Sequence, residues 1–299
     1  MADTMGKSIP DGPVGESWEV SAHPNGVSRV SGGPLAGTPL DELVRRAGTD
    51  LLGGRVHEKY GGVFPVLVKL IDVNSLASIQ VHPNDEQARR LEGYPWGKTE
   101  AWYIIARSPG ASFFLGLAPG VTADSLRAAL AEGKARSLLA SPTVAAGDCL
   151  FVPPGTVHAA GGGVLLLEIQ QSSDITYRVY DWDRVDEKGT RRELHVDKAV
   201  EVIDFAARPR ILRAERRFDA LTRIVACGLF EIYEVRLTTG IALPPREECA
   251  TGTLVEGSLR LLAEETRIDM RCGDSFVIPA GVGSRLEGGP ATVIMTFIE

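Results

Sequence analysis

The 299-residue chain lacks the features that mark several specialised protein classes. Acidic residues outnumber basic ones, 39 to 32, and the net charge of -7 disfavours non-specific nucleic-acid binding, because phosphate neutralisation needs a basic surface. Its four cysteines show no C-x-x-C spacing, which argues against a cysteine zinc site and a disulfide framework. There is no signal-peptide-like N-terminus and no apolar run near the roughly 18 residues that span a membrane. We therefore expect a cytoplasmic protein with reduced thiols that binds neither nucleic acid nor membrane.

What the chain does contain is enough apolar sequence for a substantial core. Hydrophobic residues make up 44% and charged residues 24%, as in ordinary soluble proteins. A mass of 32.1 kDa allows one large domain or two medium ones, and two is our working count. Short apolar and β-branched runs predict strands through most of the chain, including a pair at 100–106 and 112–117 around Pro109-Gly110. An alanine-rich segment at 122–140, interrupted at Gly133, predicts two helices inserted between strands.

The segment from Ala77 to Glu100 carries the first candidate site. Side chains alternate faces in a strand, so Gln80 and His82 project to one side while Ile79 and Val81 project to the other. One face of this segment is therefore apolar and the other is able to ligate a metal.

A faint internal repeat supports two related β units. The pattern Gly-Asp followed by Pro-x-Gly occurs at 147–155 and again at 273–281, with Gly and Pro six residues apart in both copies. His158 stands three residues after the first copy, and Ser284 stands at the equivalent position after the second. The repeat predicts that only the first unit retains a ligand there.

These motifs resemble two nested families. The Gly147 to His158 stretch resembles the second cupin signature, G-x5-P-x-G-x2-H, and Gln80-Val81-His82 with Glu100 resembles the first, with Gln in place of the leading His. More closely, three segments resemble the type I phosphomannose isomerases, in the short bacterial form without an extra helical domain; these segments are 78–85, 97–103 and 167–184. The likeness extends from about Trp18 to Glu299.

The resemblance implies a mainly β fold made of two cupin-type jelly-roll barrels, with a few short helices inserted in the N-terminal one. We accordingly expect a loose N-terminal tail at 1–15, a catalytic metal-binding domain at 16–208, and a metal-free cupin-like domain at 209–299.

The resemblance also implies one zinc ion per chain, bound by Gln80, His82, Glu100 and His158. Neutral imidazoles with oxygen donors suit Zn²⁺ and leave positions for water or substrate. Taken alone, Gln80 is an ordinary polar strand residue and Glu100 a solvated strand-end carboxylate. The shared strand face and the spacing favour ligation for the two histidines.

Further positions match substrate and catalytic residues of the family. Lys69, Ser78 and Lys98 match the phosphate-side or neighbouring polar positions, and a buried lysine at 69 would need an anionic partner unless it extends to water. Glu168 and Arg178 match the acidic and guanidinium residues near the reacting carbons. We include Lys98 with them as a catalytic candidate, and Arg184 is a weaker candidate for substrate binding. The acid/base is left open between Glu168 and Lys98, while Arg178 is assigned to electrostatic stabilisation because arginine stays protonated.

The implied activity is the reversible isomerisation of mannose 6-phosphate and fructose 6-phosphate through a metal-stabilised enediol(ate), by a monomer or homodimer. The alternatives are an Fe(II) cupin dioxygenase, a non-catalytic sugar-binding bicupin and an isomerase of free mannose. Oxygen uptake would identify the dioxygenase, and sugar binding without turnover would identify the non-catalytic bicupin. Activity on mannose that lacks the phosphate would identify the free-mannose isomerase.

Overall fold

A computed structural model describes residues 2–7, 10–11, 14–186, 188–215 and 217–299. The predicted loose tail at 1–15 falls partly on residues outside these ranges, as do residue 187 of the predicted N-terminal domain and residue 216 of the C-terminal one. Within the tail, Ala2–Met5 form a short helix and the Met5 side chain is buried.

Strands dominate the described residues, and the helices are short, which confirms the mainly β fold class. The strands are β1 Glu16–Val20, β2 Ala22–His23, β3 Gly26–Val27, β4 Val66–Val73, β5 Ile79–Val81, β6 Glu100–Arg107, β7 Ser112–Leu115, β8 Asp148–Val152, β9 His158–Gly161, β10 Val164–Gln171, β11 Tyr177–Tyr180, β12 Ile211–Arg213, β13 Leu221–Ala226, β14 Phe230–Leu237, β15 Gly240–Leu243, β16 Ala250–Ala263, β17 Thr266–Arg271, β18 Ser275–Ile278, β19 Ser284–Glu287 and β20 Ala291–Ile298. The helices are α1 Ala2–Met5, α2 Leu40–Ala47, α3 Thr49–Leu52, α4 Gly54–Lys59, α5 Asp85–Glu92, α6 Ala123–Ala131 and α7 Val196–Val202, with a 3-10 helix at Ala135–Leu138. None of the helices in the described ranges is long and apolar enough to cross a membrane.

The chain divides into two compact units that are discontinuous in sequence. The first unit comprises Met1–Ile71, Leu167–Ser172 and Leu212–Glu299, and the second comprises Asp72–Leu166 and Ser173–Ile211. The predicted division at 208/209 stays a prediction.

The second unit contains a four-stranded sheet in the order β11-β5-β9-β7, in which the central neighbours are antiparallel. One face of this sheet packs into an apolar cluster with α6 and α7, to which Leu126 and Val202 contribute. Burying this face leaves the opposite face for polar side chains.

The first unit contains an eight-stranded sheet built around the long strand β16, which pairs with β17, β18, β19 and β20. Its apolar residues form a second core cluster that includes Leu254, Leu286 and Val293. Outside this sheet, β1 pairs with β4 in an antiparallel register that sets Trp18 opposite Lys69.

The internal repeat has a clear conformational basis. In each copy a strand, β8 or β18, is followed by a turn and a second strand, β9 or β19, that begins at His158 or Ser284. All four repeat glycines, at 147, 155, 273 and 281, have φ between +75° and +93°, a region that L side chains rarely adopt. The repeat therefore encodes the same backbone path twice.

The helical insertion is confirmed, since Thr122 caps α6 and the 3-10 helix follows it. The predicted strands near 100 and 112 also exist, but the prediction that they pair with each other is wrong. β6 pairs with β8 and β7 pairs with β9, in separate sheets. The Pro109-Gly110 turn thus passes the chain from one sheet to another instead of closing a hairpin.

Candidate metal centre

Strand β5 places three candidate functional residues in one row. In the antiparallel register, Gln80 lies opposite His158 of β9 on one side and Arg178 of β11 on the other. Directly opposed residues of antiparallel strands project to the same face. The flanking Ile79 and Val81 are buried on the other face, as the alternation predicts.

A buried His-Glu-His cluster lies on this polar face. His82 Nε2 is 3.4 Å from one carboxylate oxygen of Glu100, and His158 Nε2 is 3.1 Å from the other. One potential ligand atom from each of the three residues lies within 4.8 Å of the other two. All three side chains are at most 1% exposed, so the cluster is closed to bulk water.

Backbone carbonyls orient both imidazoles. His82 Nδ1 lies 2.9 Å from the carbonyl oxygen of Ile175, and His158 Nδ1 lies 2.8 Å from that of Thr156. A carbonyl only accepts, so each Nδ1 carries a proton, and Nε2 is the ring atom of each histidine that faces Glu100. Such second partners fix the tautomer and ring orientation of metal-binding histidines.

The charges of the cluster suit a cation. Burial lowers the pKa of His82 well below 6.5, and Lys98 adds to the effect, so the imidazole is neutral at neutral pH. Burial acts in the opposite direction on Glu100, but Lys98, His82 and His158 outweigh it and hold the pKa of this carboxyl well below its usual range. The cluster therefore presents the Glu100 carboxylate beside the neutral imidazole of His82.

Several polar atoms of the cluster are left without a hydrogen bond. Both carboxylate oxygens of Glu100 and the Nε2 of His158 are fully buried and lack a well-aligned hydrogen bond, although Glu100 forms an ion pair with Lys98. Leaving such atoms unsatisfied is costly, and native structures rarely do so without a water, ion or functional reason. A metal ion bound by these nitrogen and oxygen donors would satisfy all of them, so the residues fit the implied metal.

Lys98 lies against the same ligand atoms. Its Nζ is 2.8 Å from Glu100 and 3.2 Å from His82 Nε2, and its side chain is about 5% exposed. The preceding residue must be a glycine, because a Cβ at Gly97 would lie 2.5 Å from the carbonyl oxygen of Pro83. That close approach, with the Lys98 N–H donating to the same carbonyl, brings the lysine to the cluster.

Lys69 lies in the first unit, and its side chain is buried, with 6% exposure. Of the two arrangements expected from the sequence, burial beside an anion and extension to water, the structure has the first. Its Nζ is 3.4 Å from Glu168 and 3.8 Å from Glu16, and it lies 4.9 Å from the centre of the Trp18 ring. Glu168 and Lys69 are thus brought together. The sequence analysis did not identify Glu16 and Trp18. The pattern around them indicates only a short strand, and it does not show which strand pairs with it.

The other three predicted site residues, Arg178, Arg184 and Ser78, differ in their hydrogen bonds and burial. The Arg178 Nη1 donates to the carbonyl of Glu193, whereas its Nε is buried without a hydrogen-bond partner; burial and the nearby Arg192 lower its pKa. Arg184 donates from Nη1 to the carbonyl of Leu76 and from Nε to that of Asp181, and it pairs with the Asp181 carboxylate. Ser78 is buried immediately before β5.

The structure therefore groups the predicted residues in two sets. The second unit holds Gln80, His82, Lys98, Glu100, His158, Arg178, Ser78 and Arg184, and the first holds Lys69 and Glu168. Within the second unit the converging ligand atoms come from His82, Glu100 and His158, while Gln80 shares their face through the strand register.

Comparison with known proteins shows which family the chain resembles in sequence. Residues 1–101 match the profile of the phosphomannose isomerase type I catalytic domain. The mannose-6-phosphate isomerase ManA of Bacillus subtilis is 37% identical over 288 residues, covering 95% of this chain and 90% of ManA. The mannose-6-phosphate isomerase of Streptococcus mutans is 35% identical over 292 residues, covering 97% of this chain and 90% of its own length.

A solved structure agrees with these relatives. The crystal structure of the mannose 6-phosphate isomerase from Bacillus subtilis superposes with a TM-score of 0.88 at 35% identity, covering 99% of this chain and 94% of that chain. This match supports the cupin fold class.

Proposed function

This chain belongs to the type I phosphomannose isomerases, and from that premise we propose that its buried His-Glu-His cluster serves the reversible isomerisation of mannose 6-phosphate and fructose 6-phosphate. The chain is an intramolecular aldose-ketose isomerase, like the curated relatives that span at least 95% of it. The observation that carries the proposal is the convergence of His82, Glu100 and His158 with unsatisfied ligand atoms.

We propose one zinc ion as the cofactor, held by Gln80, His82, Glu100 and His158. Two imidazole nitrogens, a carboxylate and an amide oxygen form a donor set that Zn²⁺ accepts. When bound, zinc supplies an electrophile that polarises the carbonyl and hydroxyl oxygens of the sugar. Burial of the three side chains lowers the local dielectric constant and so strengthens electrostatic interactions at the cluster.

The protein residues would then move and stabilise charge. Isomerisation transfers a proton between C1 and C2 through an enediol(ate), which needs an acid/base group and donors for the developing oxyanion. Lys98 is buried beside the ligand atoms and is suited to donate a hydrogen bond to a sugar oxygen, or to exchange a proton with it. The acid/base group is Glu168 or Lys98, and Arg178 stabilises negative charge through its unpaired Nε–H.

The phosphate would be bound by Lys69, with Ser78 and Arg184 as further candidates. The buried ammonium group of Lys69 supports this assignment, because a cation can bind a phosphate through charge-assisted hydrogen bonds, and the phosphate would displace Glu16 and Glu168 from it. Its counter-ions hold the cation in place before substrate arrives.

The partner is accordingly a small sugar phosphate, and the protein acts as a monomer or homodimer. We also propose a cytoplasmic location. Cys149, Cys227, Cys249 and Cys272 are free thiols, the form that a reducing compartment maintains.

Substrate discrimination tests the function directly. The zinc-loaded protein is expected to convert mannose 6-phosphate to fructose 6-phosphate without oxygen uptake, and to convert mannose far more slowly. Equal turnover of mannose and its 6-phosphate would refute the phosphate-binding assignment, and no turnover of either sugar would refute the catalytic one.

A further inference from the structure

A strained turn follows the strand that carries Arg178. Trp182 and Asp183 have φ of +57° and +56°, and only four non-glycine residues of the described chain have positive φ. A bulky residue such as tryptophan is rarely found there, and it persists only where surrounding contacts enforce the conformation. We call residues 181–184 the 181–184 turn.

This turn holds the backbone immediately before β5. The Trp182 indole N–H donates to the carbonyl of Ala77 at 2.7 Å, and Arg184 Nη1 donates to the carbonyl of Leu76, also at 2.7 Å. On the other side, the Ala77 N–H donates to the carbonyl of Ala160 in β9 at 2.8 Å. Two successive peptide groups are thereby fixed three to four residues before Gln80.

The turn is itself held by charged partners. The Asp181 carboxylate pairs with Arg184 and also accepts from Arg192 Nε at 2.8 Å. The Asp183 carboxylate accepts from the Tyr180 hydroxyl at 2.6 Å. These contacts supply the enforcement that the backbone conformation requires.

The strand register next to the turn needs such a constraint. Arg178 pairs with Gln80, but Tyr180 pairs with Ile79, so an extra residue interrupts the ladder between them. Bulges of this kind redirect side chains beside functional sites and leave the local register less strongly determined by the ladder alone. The 181–184 turn binds the backbone of Leu76 and Ala77, just before β5, on the far side of this irregularity.

We propose that Trp182 and Arg184 are positioning residues that keep Arg178 opposite Gln80 on the metal-binding face. In this assignment Arg184 acts through the Leu76 carbonyl, which replaces the candidate role in phosphate binding given to it above. The proposal rests on the proposed function for the roles of Gln80 as a ligand and Arg178 as a stabiliser of charge.

The test compares Trp182→Phe and Arg184→Met, which remove the two donors while keeping much of the side-chain bulk, with Arg208→Met. Arg208 is an exposed arginine of the same unit whose Nη1 donates to a backbone carbonyl outside the turn, that of Ala207, so its substitution is a matched control. Chelator competition measures metal affinity, and the visible spectrum of the cobalt(II)-substituted protein reports the ligand geometry. Thermal unfolding of the metal-free variants checks that they fold.

Both donor variants are expected to weaken metal binding by about 10- to 100-fold, as loss of outer-shell partners does, and to alter the cobalt spectrum in the direction that Gln80→Ala does. Arg184→Lys, which retains a donor, is expected to recover most of the affinity. Arg208→Met is expected to match the wild type in both measurements.

Wild-type affinity and cobalt spectrum in both donor variants would overturn the proposal. So would a raised KM for mannose 6-phosphate with unchanged metal affinity in Arg184→Met, which would make Arg184 a substrate contact. Normal metal binding by Gln80→Ala would show that Gln80 is not a ligand. In that case the kcat values of the Arg184 variants would decide whether Arg184 is a positioning residue. A kcat that falls in Arg184→Met and returns in Arg184→Lys supports it, and an unchanged kcat refutes it.

Discussion

Two single substitutions, Glu100→Gln and Lys98→Met, should lower the unfolding free energy of the metal-free protein by similar amounts. In the metal-loaded protein their effects on the unfolding free energy should differ. The two side chains form an ion pair at 2.8 Å and are almost fully buried. Each substitution removes one charge and leaves the other in a site closed to water.

The structure sets the expected size of the effect. Removing one partner of a buried ion pair costs about 3–5 kcal/mol of unfolding free energy, so both metal-free variants should lose that amount. A metal at 1,000 times its Kd stabilises the wild type by about 4 kcal/mol, and the gain falls to about 1.4 kcal/mol if the Kd weakens 100-fold. At the proposed zinc site, a bound cation would compensate the Glu100 charge in Lys98→Met, whereas Glu100→Gln would lack the carboxylate ligand.

Urea unfolding of both variants, with and without excess zinc, measures these differences. Lys98→Met is expected to regain stability on zinc loading by as much as the wild type or more, and Glu100→Gln by much less. A zinc-dependent gain in Glu100→Gln equal to that of the wild type would show that Glu100 is not a ligand.

Three further predictions concern pH, phosphate binding and rate. Burial lowers the pKa of His82, so below pH 6.5 the unfolded chain takes up a proton that the folded protein does not. The unfolding free energy of the metal-free protein should therefore fall as the pH decreases, by up to about 1.4 kcal/mol per pH unit. Urea unfolding of His82→Gln over the same pH range should lack this contribution. Lys69→Met should raise the KM for mannose 6-phosphate by at least about tenfold, the loss of one charge-assisted hydrogen bond, with a smaller rise in Lys69→Arg, and an unchanged KM in steady-state assays would count against the phosphate role. Arg178→Met should lower kcat by about 100-fold or more while retaining wild-type zinc content by elemental analysis, and normal turnover would contradict its assigned role.

The local patterns predicted the polar face of the sheet on which the His-Glu-His cluster lies. Alternation at Gln80 and His82 gave the correct face of β5, and the Gly-Pro-Gly pattern located His158 because it encodes a turn that needs positive φ at its glycines. These signals are local, and a strand or turn carries them regardless of what it packs against.

The contacts that complete the site are not local and were missed. Backbone carbonyls such as those of Ile175 and Thr156 orient the imidazoles, and every residue has a carbonyl, so no residue type reveals them. The pairing of β6 and β7 was also mispredicted, because a Pro-Gly turn is compatible with both a hairpin and a crossing between sheets. The engagement of Arg184 by Leu76 likewise depends on tertiary structure.

Zinc titration into the metal-free protein, followed by mannose 6-phosphate conversion, tests the central claim most directly. Activity should be absent without metal, rise linearly with added zinc and level off at one zinc per chain, and His158→Ala should show no such rise. Full activity in the metal-free protein, or an undiminished zinc response in His158→Ala, would contradict the account.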